Sequence, residues 1–155
     1  MKQFTKFLGL MMIAVMIMPG CNKDDDAEKQ AELDEQVILD YLADNDLNAE
    51  RHESGLYYLI TEEGDGENPT VYSTVEVFYK GYFTDGSIFD QTTSAPVSFS
   101  LQGLITGWQI GIPLAKEGGS ITLFLPSALG YGERGSGSVP PNTVIFFDID
   151  LVSVL

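Results

Sequence analysis

Only one cysteine and one histidine stand among the 155 residues. A lone cysteine excludes a disulfide within the chain. The single histidine, His52, lies in a polar stretch, so neither a zinc site of ordinary composition nor a Ser-His or Cys-His nucleophilic system is expected. No metal and no other cofactor is called for. Basic residues are scarce too: eight Lys and Arg face 23 Asp and Glu, for a net charge of -15. Without a Lys/Arg patch to neutralise phosphates, the chain is not expected to bind nucleic acid or to adhere to anionic lipid heads. The acid is uneven. Residues 22–53 hold twelve acids against three bases, and 54–155 hold eleven against three in a stretch about three times longer.

What is present suits one folded domain with extensions. The chain is 44% hydrophobic, with nine Phe and seven Tyr, enough apolar surface to offset the entropy of ordering. Its start is an address. Lys2 and Lys6 precede the apolar run Phe7–Met18, which is too short for a permanent membrane span. Pro19-Gly20-Cys21 follows, a small residue directly before the only cysteine, and this resembles the lipobox of bacterial lipoproteins. The resemblance implies a lipoprotein signal peptide at residues 1–20, a membrane anchor through lipid on Cys21, and a place in the cell envelope at the outer membrane. More than one acyl chain makes such an anchor durable. Asn22-Lys23-Asp24-Asp25-Asp26 is similar to the acidic tag that carries some bacterial lipoproteins to the cell surface, although a plain solvated spacer has the same composition.

Residues 21–53 read as an acidic linker containing an amphipathic helix. Leu33, Val37, Ile38, Tyr41 and Leu42 recur at three-to-four spacing between acids. This stripe has three open uses: docking on the domain, pairing two copies through the helix near 31–47, or binding a partner.

From Ser54 the period changes to alternation. Leu56, Tyr58 and Ile60, then Val75, Val77 and Tyr79, then Val97, Phe99 and Leu101, then Ile121, Leu123 and Leu125, and finally Ile145, Phe147, Ile149 and Leu151 predict about five strands. Asp85-Gly86 is a hairpin signal connecting Phe83 to Ile88-Phe89-Asp90. Gly103–Lys116 alone has helical spacing here, through Leu104, Ile105, Trp108, Ile112 and Leu114, with Gly118-Gly119 as a C-terminal cap. The fold class is α+β: a curved antiparallel sheet wrapped around one short helix on a single face, with a ligand-sized concavity between them. Gly130-Tyr131-Gly132-Glu133-Arg134-Gly135 spells a dinucleotide fingerprint, but Ser136–Pro141 after it cannot start the helix that this chemistry needs. The Asp24–Asp26 run lacks the Gly and distal Glu of a calcium loop.

Six segments then occur in a familiar order: Val77–Gly81, Asp85–Asp90, Pro96–Phe99, Ile105–Trp108, Leu125-Pro126 with Leu129–Gly132, and Val139–Asn142 leading into Phe146–Asp148. In these, residues 54–155 resemble the FKBP family of peptidyl-prolyl cis/trans isomerases along their whole length. The resemblance implies an FKBP-like domain at 54–155. It places Trp108 at the floor of a proline pocket, with Tyr79, Phe89, Val97, Leu104, Ile105 and Phe147 around it and Val139 in a flap over the entrance. Tyr79, Asp90 and Tyr131 are the implied catalytic set. The backbone N–H of Ile105 and the hydroxyl of Tyr131 would bond ligand carbonyls, and the Asp90 carboxylate would bond a polar ligand group. Val97 stands where relatives often carry Phe. The implied partners are proline-containing polypeptides, and the implied activity is isomerisation that assists the folding of exported proteins. The competing expectation is a non-catalytic FKBP-like binding or chaperone module in a cell-envelope assembly.

Overall fold

The structure, a computed structural model, describes residues 23–155. The expected signal peptide at 1–20, the Cys21 lipidation point and Asn22 lie outside the described residues. In chain order the described elements are helix α1 (Lys23–Asp44), strands β1 (Glu50–Arg51), β2 (Tyr57–Glu62), β3 (Thr74–Tyr82), β4 (Ile88–Gln91) and β5 (Val97–Ser100), helix α2 (Thr106–Gly111), and strands β6 (Ser120–Leu125) and β7 (Ile145–Val154). Among the described residues seven strands form one sheet, ordered β1-β2-β6-β7-β3-β4, with β5 also paired to β3. Every pairing is antiparallel. The count exceeds the expected five because β1 has only two residues and β4, Ile-Phe-Asp-Gln, does not alternate.

One edge of β3 is shared by two strands, and this split builds the site. Thr74–Val77 pairs with β5, and Lys80–Tyr82 pairs with β4. Between them Thr92 closes the gap: the Tyr79 N–H donates to Thr92 Oγ1 at 3.0 Å, and the Thr92 N–H donates to the Tyr79 carbonyl at 3.0 Å. The β3–β4 turn forms where Asp85-Gly86 predicts it, as a three-residue loop with Gly86 at φ 82° and Phe83 N–H donating to Ser87 O at 2.9 Å.

Alternation along β6 and β7 divides the core into two layers. Ile121, Leu123, Leu125, Ile145, Phe147 and Ile149 face α2 together with Trp108 and Ile112. Phe124 and Phe146 face the other way, against α1. Helix α2 lies close on its layer because Gly107 and Gly111 carry no side chain: a Cβ at Gly107 would stand 2.5 Å from Leu125 Cδ1, and one at Gly111 2.6 Å from Leu123 Cδ1. The helix is shorter than its apolar pattern predicts. It passes into a 3-10 turn at Ile112–Leu114, where Pro113 follows directly, and Gly118, at φ 80°, serves the turn into β6 instead of capping the helix.

The sheet is covered on both faces, because α1 docks. Ile38 and Leu42 are buried and, with Tyr41, pack on Tyr57, Phe124, Val144 and Phe146. The Tyr41 ring lies 4.5 Å from that of Phe146. Full burial of each aliphatic side chain contributes about 1.5 to 3 kcal/mol. The docked stripe is displaced from the expected one: Asp34 lies in it at 3% exposure, whereas Leu33 and Val37 stand outside it at 54% and 42%. The helix ends in a Schellman motif, with Leu47 N–H donating to Leu42 O at 2.9 Å, Asp46 N–H to Ala43 O at 3.3 Å, and Asp46 in the left-handed region at φ 52°. Ion pairing between Arg51 and Glu35, at 2.7 Å, ties α1 to β1.

Candidate active site

A cavity of about 160 Å³ opens between α2 and the sheet, lined by Tyr79, Asp90, Phe99, Leu104, Ile105, Trp108, Tyr131 and Phe147. Each wall comes from a different element: Tyr79 from β3, Asp90 from β4, Phe99 from β5, Phe147 from β7, and Leu104 and Ile105 from the turn that starts α2. Trp108, in the first turn of α2, is 4% exposed. Three rings meet its indole edge-on: Phe147 at 5.2 Å, Tyr79 at 5.3 Å and Phe99 at 5.8 Å, with interplanar angles of 86°, 81° and 87°. T-shaped contacts of this kind each contribute about 0.5 to 1.5 kcal/mol and fix the indole as a rigid base. The indole N–H is the one buried side-chain polar atom among the described residues without a hydrogen-bond partner.

Seven of the ten expected catalytic and pocket residues therefore share one cavity: Tyr79, Asp90, Leu104, Ile105, Trp108, Tyr131 and Phe147. Three do not line it. Phe89 sits one layer out, over Gly81, where a Cβ would be 2.6 Å from its ring, and wedged between Phe83 and Phe147 at centroid distances of 5.0 and 5.5 Å. It supports Phe147 from behind. Val97 pairs with Val77 and is 40% exposed, whereas Phe99, two residues on and on the same face, is long enough to touch Trp108. The β5 wall of the cavity is therefore Phe99 and not Val97. Val139 is held by paired backbone bonds of 2.9 Å to Ser136 that close a narrow turn, and the residue is 4% exposed in the core cluster that contains Trp108 and Phe147, outside the lining of the cavity.

Polar groups are few and specific. The Tyr79 hydroxyl donates to Asp90 Oδ2 at 2.7 Å. Burial first, then this bond and the Asp90 charge, push the Tyr79 phenol up to about 12. Burial also raises Tyr131, with the Asp90 charge adding to it. Both phenols are thus neutral O–H groups at neutral pH. Among the described residues neither the Tyr131 hydroxyl nor the Ile105 N–H donates to a protein group. Sequence reasoning missed Gln109, whose side-chain amide donates to Leu104 O at 2.7 Å and to Gln102 O at 3.4 Å, pinning the turn that presents Ile105. Its only signal was an amide in the first turn of a helix whose start had no side-chain cap. The described residues contain no group of three or more His, Cys, Asp or Glu side chains able to hold a metal ion.

An aromatic slot walled by a strand-split antiparallel sheet and one short helix defines an α+β domain of the FKBP kind. The family model of FKBP-type peptidyl-prolyl cis-trans isomerases matches residues 65–152, and the chain belongs to that family. It is 44% identical over 103 residues to the FKBP-type peptidyl-prolyl cis-trans isomerase FkpA of Escherichia coli K12, covering 65% of this chain and 38% of that protein. It is 38% identical over 132 residues to FkpA of Aeromonas hydrophila, covering 83% of this chain and 49% of the relative. The chain thus spans less than half the length of either. The crystal structure of a peptidyl-prolyl cis-trans isomerase from Pseudomonas syringae pv. tomato superposes with a TM-score of 0.72 at 30% identity, covering 82% of this chain and 94% of that one.

Proposed function

We propose that the chain is an active peptidyl-prolyl cis/trans isomerase, exported and anchored in the cell envelope through lipid on Cys21, that assists the folding of exported proline-containing proteins. The observation that carries the catalytic reading is the pairing of a rigid aromatic slot with two donors, Ile105 N–H and Tyr131 O–H, that no protein group among the described residues accepts from. The barrier to X-Pro rotation, about 20 kcal/mol, is the loss of amide resonance. No nucleophile is needed to lower it. Water stabilises the planar, polarised amide by hydrogen bonds to its carbonyl. The slot replaces that water with apolar rings, while the fixed donors hold the peptide carbonyls with the C–N bond twisted, so the twisted state gains relative to the planar one. Trp108 receives the proline ring, and the Tyr79–Asp90 pair orients the carboxylate beside the substrate chain.

The test is NMR exchange of a Phe-Pro or Leu-Pro peptide with the soluble chain from residue 22 onward. Parent protein accelerates exchange. Tyr131→Phe, which removes one donor worth about 1 to 1.5 kcal/mol, slows catalysis by roughly fivefold to tenfold in a folded protein. Trp108→Ala abolishes most of it. No acceleration across several peptides would leave a non-catalytic binding or chaperone module.

Anchoring and location rest on the basic and apolar start, the Pro19-Gly20-Cys21 junction and the acid tract behind it. With Cys21→Ser, the protein moves from the membrane to the soluble fraction; an unchanged distribution overturns the anchor. Protease treatment of intact cells cuts a surface-exposed protein and spares one facing inward.

A further inference from the structure

Asp34 is a carboxylate 3% exposed in the docked face of α1, and no cation of the described residues pairs with it. A buried carboxylate is costly unless hydrogen bonds replace its water. Here one segment supplies most of them. Asp34 Oδ2 accepts the backbone N–H of Ser127 at 2.8 Å and the Ser127 hydroxyl at 2.5 Å, and Oδ1 accepts the Gln30 side-chain amide at 2.7 Å. Ser127 is itself 1% exposed and opens a 3-10 turn, Ser127–Leu129. That turn is closed by Leu129 N–H to Pro126 O at 2.9 Å and Gly130 N–H to Ser127 O at 3.0 Å. Tyr131 comes next, and Gly132 behind it is held by Asn142 N–H donating to its carbonyl at 2.9 Å. Tyr131 is therefore suspended between two fixed points, and the one on its N-terminal side is set by a residue of the N-terminal helix.

We propose that Asp34 is a positioning residue of the isomerase site: through Ser127 it sets where the Tyr131 hydroxyl stands, which makes α1 part of the site's framework and not a spacer. This rests on the isomerase reading for its kinetic consequence but not for its geometry. A carboxylate serving stability alone could be any apolar side chain; one that grips both donors of Ser127 determines the turn's orientation as well as its burial.

The experiment is a double-mutant cycle in the soluble chain from residue 22 onward, read by peptide exchange and by NMR of the Tyr131 ring. Asp34→Ala is expected to lower kcat, with KM nearly unchanged, by about the fivefold to tenfold that Tyr131→Phe gives, and to add little in the Tyr131→Phe background. Asp34→Asn keeps an oxygen for both Ser127 donors, with the Gln30 amide turning over, and is expected to restore most of the rate. Asp34→Ala and Ser127→Ala both shift the Tyr131 ring resonances, Ser127→Ala by less because one of two bonds survives. Should Asp34→Ala fail to fold, Ser127→Ala alone in the same cycle decides the matter. Multiplicative losses in the double variant, or unmoved Tyr131 resonances, overturn the proposal. If the parent protein accelerates no peptide, the isomerase reading falls, while the ring shift still decides whether Asp34 places Tyr131.

Discussion

Phe99 and Val97 project from the same face of β5, yet only the Phe reaches the indole. The expected consequence separates them. Phe99→Leu forfeits an aromatic contact of about 0.5 to 1.5 kcal/mol and raises the KM for a prolyl peptide roughly twofold to tenfold. Val97→Ala, at an exposed edge position, stays within about 0.5 kcal/mol of the parent in both binding and stability. Peptide titrations of the two variants check this, and equal effects would return Val97 to the wall. Alternation along a strand shows which residues share a face. It does not show how far a side chain extends from it, which is why the pairing of Val97 with Trp108 could not be corrected from sequence.

Among the elements, α2 carries the sharpest constraint, since its two glycines face Leu125 and Leu123 with no room for a methyl group. Gly107→Ala gains about 1 kcal/mol of helix propensity but overpacks the fully buried Leu125 at a cost of about 1 to 3 kcal/mol, so a net loss of up to about 2 kcal/mol is expected. A lower urea midpoint with unchanged m-value measures it. The long alternating strands and the site order Tyr79, Trp108, Tyr131, Phe147 were legible because period 2 and an ordered set of family segments are strong signals. The two-residue β1 offered no period to read. The register of α1 was missed for a physical reason: Asp34 occupies a core position, and a pattern that admits only apolar residues shifts the stripe to Leu33 and Val37. Likewise the apolar spacing through Leu114 points to Gly118 as a helix cap, whereas the α-helix ends at Gly111 and gives way to the 3-10 turn that contains Pro113.

For the whole molecule, pH limits follow from groups spread over both layers. Tyr79 keeps its proton to about 12 in the native state but loses it near 10 when unfolded. The unfolded state therefore binds fewer protons in that interval, and stability declines as pH climbs above 10. Tyr82, raised by burial and by the Asp148 charge, acts in the same direction. At the other end Glu35 is held below its ordinary value of 4.5 by hydrogen bonds from Arg51 and Tyr57. Its contribution is complete above that value and is lost as pH falls through the lower native one, loosening α1 first. Circular dichroism against pH should show a plateau between about pH 6 and 9, with isomerase activity flat across it. One feature of the cavity reaches beyond binding. The chain contains a single tryptophan, and it is the caged base of the slot, its N–H donating to no group among the described residues. Its fluorescence is accordingly a built-in optical gauge: emission at the blue end of the tryptophan range when the cage is intact, altered when a peptide or an inhibitor touches the ring, and red-shifted only when the core opens to water.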